Sequence, residues 1–438
     1  MRGSWAFMAV RLLFLVAILL ITFLIQRFWF ARAWGLIESV PRPGWRVLLQ
    51  GLWIAAAALL FVTVLNSFVW RFLPRGGAAS WILAAAKLWL AASFFALLAV
   101  RFVVALDWIS KHVSEATGPS PRESIDHARR QFFRYAAYLA GSLPFVGGAY
   151  GFLKERLAYG VRKIEIPIAD LPKGLDGLRI VQLSDVHIGD FMPREEVRRA
   201  VDMANALSAD LAVVTGDFIT SENDPLEDCI AELSRLQAPL GVWGCNGNHE
   251  IYADAEAAAQ QLFRQYGMRL LRKENAELAW HGQSFNLIGV DYQRERSRSG
   301  KKLPMLRGVE PLVRKDVPNI LLSHNPNSFV RAAELGIELS LAGHTHGGQV
   351  RVEIVDHSFS PARFMTNFTA GLYRRPAGNG TATLHSETSN AVGPQAGAAD
   401  GSHKSAFLYV NRGLGTIGMP VRIGVPPEIT LITLRSAG

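Results

Sequence analysis

The sequence predicts an α/β domain that follows an all-α transmembrane helix bundle. The chain of 438 residues is 50% hydrophobic, and the excess of apolar residues is concentrated before residue 155. After that point, short β-branched runs alternate with amphipathic stretches, a pattern typical of an α/β fold. We therefore expect a membrane domain at residues 1–154 and a second domain at residues 155–438.

Four apolar segments predict about four transmembrane helices, at approximately residues 5–26, 47–70, 80–100 and 135–153. The second segment is uncharged and long enough to cross a hydrocarbon core of about 30 Å. The first contains Arg11, the third contains Lys87, and the fourth contains Pro144. A cleavable signal peptide is the competing interpretation of the first segment, but its removal would still leave an integral membrane protein.

Positive charges flank these segments unevenly. Residues 27–46 and 101–134 hold ten arginines and lysines, whereas residues 2–11 and 71–75 hold four. The positive-inside rule places the two richer regions in the cytoplasm. With four spans the second domain then faces outward, into a periplasm or its equivalent, and with three spans it would face the cytoplasm.

The second domain begins with a predicted strand at residues 161–167. Five further apolar runs read as buried strands, and amphipathic helices are predicted from Pro193 and from Pro225, because proline is tolerated in a first helical turn. The five strands are predicted at residues 179–184, 211–215, 241–245, 319–323 and 337–342. Each is followed at once by His, Asp or Asn residues. In open α/β sheets, ligands bind at these carboxyl ends.

Five short blocks hold these side chains. They are Asp185-Val186-His187, Gly216-Asp217, Gly247-Asn248-His249-Glu250, His324 and Gly343-His344-Thr345-His346. Each block alone could also have only a structural role, since an isolated histidine is usually a solvated or structural side chain. In this order, the carboxylate, amide and imidazole donors match what a hydrolytic site for two divalent metal ions requires.

The ordered blocks closely resemble the calcineurin-like metallophosphoesterase superfamily, whose pattern is D-x-H, G-D, G-N-H-D/E, H and G-H-x-H. The resemblance covers residues 177–436. GHTHGGQVR, LYVNRGLG and PPEITLITL are also similar to a membrane-associated bacterial phosphodiesterase branch, which includes enzymes that cleave the pyrophosphate of UDP-2,3-diacylglucosamine. The resemblance implies a β-sandwich flanked by helices and hydrolysis of a phosphodiester or pyrophosphate bond.

The resemblance also implies a role for each matching residue. Asp185, His187 and His346 would hold one metal ion, Asn248, His324 and His344 would hold the other, and Asp217 would bridge them. His249 would not be a ligand but would donate a proton to the leaving alkoxide, a task that suits the pKa of histidine. The expected cofactors are two divalent metal ions, and the donor types leave Mn, Fe, Zn and Mg open.

A lipid-linked phosphoester is the expected substrate class, because tethering at a bilayer raises its local concentration. The expected partners are therefore the lipid bilayer and that substrate, in the inner membrane of a bacterial cell. The net charge of +9 is explained largely by arginines beside the apolar segments, and no nucleic-acid partner is expected. The oligomeric state and the preference between monoesters and diesters stay open.

A second class of function remains. The helix bundle could act as a transporter or a sensor, with a regulatory or non-catalytic phosphoesterase-like domain. Lys87 and Arg11 support this alternative, because charges inside apolar spans are functional hypotheses by default, although both side chains can also reach the membrane surface.

Two further predictions concern residues outside the blocks. Residues 376–405 are rich in Gly, Ala, Ser, Thr and Asn, which predicts a flexible insertion in which His385 and His403 are solvated. Cys245, in a predicted strand, is expected to be a small buried residue, and neither Cys229 nor Cys245 is expected to have a metal or redox role.

Overall fold

The computed structural model describes residues 2–68, 76–117, 123–294, 303–354, 357–359, 366–376 and 405–437. The chain divides into two compact units, Met1–Tyr150 and Gly151–Gly438. The insertion predicted at residues 376–405 lies outside the described residues except for its two ends, and so do His385 and His403.

The first unit consists of four helices, which are α1 (Arg2–Glu38), α2 (Pro43–Phe68), α3 (Gly77–Thr117) and α4 (Glu123–Leu153). By length and composition, four segments could cross a membrane: Val16–Glu38, Pro43–Asn66, Gly77–Val113 and His127–Leu157. The helices are longer than the apolar segments in the sequence. In α3 the reason is that residues 101–117 contain neither Gly nor Pro, so nothing ends the helix at Arg101.

Polar side chains connect α1 and α3. The amide of Gln26 donates to the hydroxyl of Ser93 at 2.9 Å, and its carbonyl oxygen accepts from the Trp89 indole at 3.0 Å. Interhelical bonds of this kind stabilise helix pairs in lipid by about 0.6 kcal/mol each. Lys87 lies in α3 and is half-buried, whereas the side chain of Arg11 lies outside the described residues.

The second unit contains strands and shorter helices. Its strands are β1 (Gly160–Ile168), β2 (Arg179–Leu183), β3 (Leu211–Thr215), β4 (Val242–Cys245), β5 (Arg269–Leu270), β6 (Glu274–Trp280), β7 (Gln283–Val290), β8 (Asn319–Ser323), β9 (Leu339–Ala342), β10 (Val352–Ile354), β11 (His357–Phe359), β12 (Gly371–Pro376), β13 (Ser405–Val410) and β14 (Glu428–Ser436). Its α-helices are α5 (Arg194–Asn205), α6 (Leu226–Leu233), α7 (Asn248–Tyr252), α8 (Glu256–Gln265) and α9 (Phe329–Glu334).

Twelve of these strands form two six-stranded sheets. The first sheet has the order β1-β14-β2-β3-β4-β5, and the second has the order β12-β13-β9-β8-β7-β6. Strands β2 to β5 are parallel to one another, and so are β7, β8, β9 and β13. The carboxyl ends of β2, β3 and β4 therefore lie side by side, as do those of β8 and β9.

The two sheets pack face to face through one hydrophobic core. Ile180 and Val213 of the first sheet belong to the same buried cluster as Leu322 and Leu341 of the second. The outer face of the first sheet is covered by α5, α6 and α8, and α9 packs on the outer face of the second. The predicted fold class, a β-sandwich flanked by helices after an all-α helical unit, is confirmed.

The hairpin formed by β6 and β7 was not predicted from the sequence. His281 and Gly282 connect the two strands, with φ values of 46° and 75°. Two residues with positive φ form the tight turn that matches the twist of a β-hairpin. The glycine between two alternating runs was the local signal for this turn.

Candidate metal centre

The first two predicted blocks lie on neighbouring loops. Asp185 follows β2 and Asp217 follows β3, and the backbone continues to pair beyond the strands. The N–H of Asp185 donates to Gly216 O at 3.0 Å, and the N–H of His187 donates to Asp217 O at 3.0 Å. Because these loops are held in register, both carboxylates are buried at the same edge of the sheet.

One group of four donors forms at this edge. Ligand atoms of Asp185, His187, Asp217 and His346 all lie within 4.8 Å of one another. His346 Nε2 lies 3.2 Å from Asp185 Oδ1, and His187 Nε2 lies 3.6 Å from Asp217 Oδ2. Four buried donors converging on one point are sufficient for a first cation.

A second group shares one member with the first. Ligand atoms of Asp217, His324 and His344 also lie within 4.8 Å of one another. His324 Nε2 is 3.1 Å from Asp217 Oδ2. Asp217 thus belongs to both groups, which is the position that the resemblance gives to a bridging carboxylate.

Asn248 and His249 begin helix α7 beside this shared carboxylate. The backbone N–H of His249 donates to Asp217 Oδ1 at 2.9 Å, so the start of α7 is attached directly to the bridging side chain. The amide of Asn248 is buried. The structure therefore brings all eight predicted site residues to one place.

The donors fit divalent cations. Within the described part of the chain, His324 Nε2 and Asn248 Oδ1 are buried and have no hydrogen-bond partner. The Nε2 atoms of His187 and His346 face each other at 3.1 Å. Buried polar atoms are normally satisfied, so a group of inward-facing lone pairs and carboxylates calls for positive charge between them.

Backbone carbonyls fix the orientation of three histidines. Nδ1–H of His324 donates to Thr215 O at 2.6 Å, Nδ1–H of His187 donates to Ile219 O at 3.1 Å, and Nδ1–H of His249 donates to Thr220 O at 2.8 Å. A carbonyl oxygen can only accept, so the proton lies on Nδ1 in each ring. Nε2 is left to face the ligand side, as in metal-binding histidines generally.

Electrostatics follow from burial and from the two carboxylates. Burial lowers the pKa of His187 to about 3, and burial together with His324 lowers that of His344 to about 4, so both imidazoles are neutral. Burial would also lower the pKa of His324, but Asp217 and Asp185 outweigh it and raise the pKa to about 10. The two carboxylates thus stabilise a positive charge on His324, and they would stabilise a bound cation in the same way.

Most of the candidate ligands have strained backbones. Five non-glycine residues of the two donor groups have positive φ angles, a region that costs about 1–3 kcal/mol for such residues. They are Asp185 (50°), His187 (49°), Asp217 (55°), His344 (76°) and His346 (51°). The packed sandwich holds these loops in place, and strain concentrated at one edge indicates a functional site.

Two glycines leave room for the carboxylates. A Cβ on Gly343 would lie 2.0 Å from Ser184 Oγ and 2.2 Å from Asp185 Oδ2, and a Cβ on Gly247 would lie 2.1 Å from Asp217 Oδ1. Any other residue at these positions would displace a donor. The glycines that the sequence places inside the blocks are therefore part of the site.

No role was predicted from the sequence for Glu250, the last residue of the Gly247-Asn248-His249-Glu250 block. Its buried carboxylate accepts from the backbone N–H groups of Asp217 at 2.9 Å, Phe218 at 2.8 Å and Gly247 at 2.8 Å. Burial and the charge of Asp217 raise its pKa to about 7. Glu250 joins the loop that carries Asp217 to the loop that carries Asn248. A glutamate three residues after the cap position of a helix was the available signal.

Residues 178–348 match the family described as calcineurin-like phosphoesterase. Together with the two-sheet arrangement and the buried Asp and His cluster, this match gives the second unit a metallophosphoesterase fold.

Two relatives carry the name "Transmembrane protein with metallophosphoesterase domain". The one from Bos taurus is 30% identical over 328 residues, 72% of this chain and 65% of that protein. The one from Danio rerio is 28% identical over 306 residues, 68% of this chain and 62% of that protein. The chain thus spans less than two thirds of the length of these two relatives.

A third relative is bacterial. The "Uncharacterized metallophosphoesterase YkuE" of Bacillus subtilis is 28% identical over 316 residues, 70% of this chain and 98% of that protein. The relatives therefore come from bacteria and from animals. Together with the four apolar helices, the names of the animal relatives point to a membrane protein.

Proposed function

We propose that the protein is a membrane-anchored dinuclear-metal phosphoesterase that hydrolyses a phosphodiester or pyrophosphate bond. One observation carries this proposal, the sharing of Asp217 between the two donor groups. A carboxylate held between two sets of imidazoles suits a pair of cations about 3.5–4 Å apart, the spacing used for phosphoryl transfer.

Each predicted residue has a task in this proposal. Asp185, His187, His346 and Asp217 would hold the first cation, and Asn248, His324, His344 and Asp217 would hold the second. When bound, the pair of cations supplies charge neutralisation for the phosphoryl oxygens and a lowered pKa for the attacking water. The identity of the metal is open among Mn, Fe, Zn and Mg, because nitrogen and oxygen donors suit several of them.

His249 handles the proton of the leaving group. Its Nδ1–H is bound to Thr220 O, so the ring cannot rotate freely and Nε2 is the atom available to a substrate. The ring of His249 lies edge-on to that of His187, with centroids 4.9 Å apart, and the residue is only partly buried. A protonated Nε2 at this position can donate to the oxygen that leaves phosphorus.

The four apolar helices support a membrane location, and a lipid-linked phosphoester is the substrate class that we propose. By analogy with the bacterial branch similar in sequence, a pyrophosphate such as that of UDP-2,3-diacylglucosamine belongs to this class. The distribution of arginines favours the inner membrane of a bacterial cell with the second unit facing outward. An outward-facing domain argues against a nucleotide-bearing substrate, so the class is wider than that one compound.

The test is metal-dependent hydrolysis of bis(p-nitrophenyl) phosphate by the full-length protein in detergent. We expect turnover that a chelator abolishes and a divalent metal restores, and that Asp217→Asn abolishes. Asp202→Asn is the matched control, because Asp202 is an exposed carboxylate of α5 that pairs with Arg235 at 3.4 Å. A folded wild-type protein without turnover under any divalent metal would favour the alternative, a transporter or sensor with a regulatory domain.

A further inference from the structure

The segment after β7 forms one side of the metal centre. Asp291 and Gln293 hold this segment in place: Asp291 accepts from Asn246 at 2.7 Å and from Arg272 at 2.9 Å, and Gln293 O accepts from Asn325 at 3.0 Å. Asn246 precedes the Gly247 block, and Asn325 follows His324. The segment is therefore attached on both sides to loops that carry candidate ligands.

The other two residues of this segment, Tyr292 and Arg294, lie beside the site. The ring of Tyr292 lies 5.2 Å from that of His344 and 6.1 Å from that of His324. The guanidinium carbon of Arg294 lies 5.5 Å from the ring centre of Tyr252, at the end of α7. Tyr252 in turn lies 5.7 Å from His249.

These contacts form a partial rim beside the donor atoms. From Tyr252 the rings continue through His249 to His187 and His346, with centroid distances of 5.7, 4.9 and 5.0 Å. From the other side, Tyr292 stands beside the second donor group, and Arg294 reaches back to Tyr252. Two tyrosine rings and a guanidinium therefore lie beside the place where a phosphorus between the two donor groups would sit.

The side of this rim that carries Tyr252 and Arg294 is positively charged. Arg294 is exposed, and no carboxylate of the described residues lies within ion-pair distance of it. The nearest acid in its own segment that the structure describes, Asp291, is already bonded to Arg272 and Asn246. A guanidinium that has no acidic partner among the described residues favours a phosphate, which it can bind through two parallel N–H groups.

From this geometry we infer that Tyr252, Tyr292 and Arg294 form a specificity subsite for the part of the substrate that stays on phosphorus, and that this part carries a second phosphate. The inference rests on the proposed phosphoesterase function. Arg294 binds the second phosphate, and the exposed ring of Tyr252 packs against the group that connects the two phosphates. Phosphoesters with a single phosphate bind the metal centre but leave Arg294 unused.

Two substrates that differ by one phosphate test the inference. They are thymidine 5′-(p-nitrophenyl phosphate) and its 3′-phosphorylated form, which release the same nitrophenolate. For the full-length protein in detergent with saturating manganese, we expect kcat/KM to be higher by about tenfold for the 3′-phosphorylated ester, the low end of what one exposed charge-assisted hydrogen bond provides. Arg294→Gln removes this preference, so that the two esters have equal kcat/KM values.

Arg264→Gln is the matched control. Arg264 is an exposed arginine of α8 whose guanidinium bonds to Gln260, and this variant should keep the preference of the wild type. Equal kcat/KM values of the wild type for both esters, or equal effects of the two arginine substitutions, would overturn the inference while leaving a working phosphoesterase. No turnover of either ester by the folded wild type would remove the proposed function and the subsite together.

The variant Tyr252→Leu distinguishes stacking on the Tyr252 ring from binding of a phosphate by Arg294. This variant should lose activity on both thymidine esters, because both carry the ring system that packs on Tyr252, and it should retain activity on methyl p-nitrophenyl phosphate. Equal loss on all three substrates would show that Tyr252 supports the catalytic centre rather than the subsite, and would contradict its assignment here.

Discussion

Nδ1–H of His249 donates to the backbone carbonyl of Thr220 at 2.8 Å, and the hydroxyl of the same threonine lies 3.0 Å from Nδ1 of His187. One residue on the loop after β3 therefore orients both a candidate metal ligand and the candidate proton donor. Because Nδ1–H of His249 is already bonded to Thr220 O, Nε2 is the ring atom left to carry a proton for the leaving group. This arrangement connects the candidate metal ligand and the candidate proton donor through a single residue.

Replacement of His249 should affect substrates according to their leaving groups. We expect His249→Ala to lower kcat by about 10²–10⁴ for a phenyl ester, the usual contribution of a general acid. For a p-nitrophenyl ester the loss should be much smaller, because nitrophenolate leaves without a proton. Steady-state kinetics with the two esters checks this, and metal content should equal that of the wild type. A uniform loss across both leaving groups would contradict a role in protonation.

Replacement of Glu250 should loosen the metal centre. Glu250→Gln keeps the shape of the side chain but provides one acceptor oxygen where several backbone N–H groups converge. We expect a loss of about 1–3 kcal/mol of stability, the cost of unsatisfied buried donors, and a metal affinity that is about 10–100-fold weaker. Metal titration followed by thermal unfolding measures both effects.

Glu227→Gln provides the control for that experiment, since Glu227 is an exposed glutamate that accepts from the hydroxyl of Tyr266 at 3.2 Å. If the two glutamine variants bind metal equally well, Glu250 does not hold the ligand loops together.

The strands that carry the site were predictable because each of them is a buried apolar run. The predicted strand at residues 211–215 coincides with β3, and that at residues 319–323 coincides with β8. Both faces of such parallel strands are covered, so each strand is a nearly uninterrupted run of apolar residues in the sequence. The donor blocks were predictable for a related reason, since they directly follow these strands.

What the sequence could not provide depends on contacts between distant residues. The bond between Gln293 O and Asn325 and the bonds of Glu250 to Asp217 and Phe218 join positions about thirty residues apart. The positive φ angles of His187 and Asp217 also arise from tertiary packing, because non-glycine residues rarely adopt that region, even though Asp and His do so more often than most. Tyr252 and Arg294 lie outside every motif, and only the fold brings them together.

Replacement of Gly343 should displace a ligand without changing any donor. A Cβ at this position would overlap Ser184 Oγ and Asp185 Oδ2, and the buried loop has little room to move. We expect Gly343→Ala to lower stability by about 1–3 kcal/mol, as overpacking does, and to reduce metal binding. Chemical denaturation and metal analysis measure the two effects. Gly160→Ala should be neutral, because its Cβ would meet only Pro427 O at 3.8 Å, and equal behaviour of the two variants would argue against a crowded Gly343.

Reporter fusions can determine on which side of the membrane the second unit lies. We expect a fusion of alkaline phosphatase after Gly438 to be active in bacterial cells, because the reporter forms its disulfides only in an oxidising compartment. A fusion after Thr117, at the end of α3, should be inactive, because that end carries the arginine-rich region expected in the cytoplasm. Activity in the second fusion and not in the first would place the metal centre on the cytoplasmic side.

An ion-pair cluster on the outer face of the first sheet should make stability depend on pH. The buried carboxylate of Glu232 in α6 accepts from Arg194 at 2.6 Å and from Arg198 at 2.8 Å, both in α5. Hydrogen bonds from Arg198 and Arg194 lower the pKa of Glu232 from its ordinary value of 4.5 to about 2.

A depressed pKa in the folded state stabilises the protein above the unfolded pKa, and this contribution is lost as pH falls from about 4.5 to about 2. We expect Glu232→Gln to lower the free energy of unfolding at pH 7 by roughly 1 kcal/mol, since both arginines are about half exposed and the pairs are screened. The difference from the wild type should shrink as pH falls through that window. Thermal unfolding midpoints between pH 7 and pH 3 measure this, and a difference that stays constant with pH would show that packing of α6, and not its charge, stabilises the contact with α5.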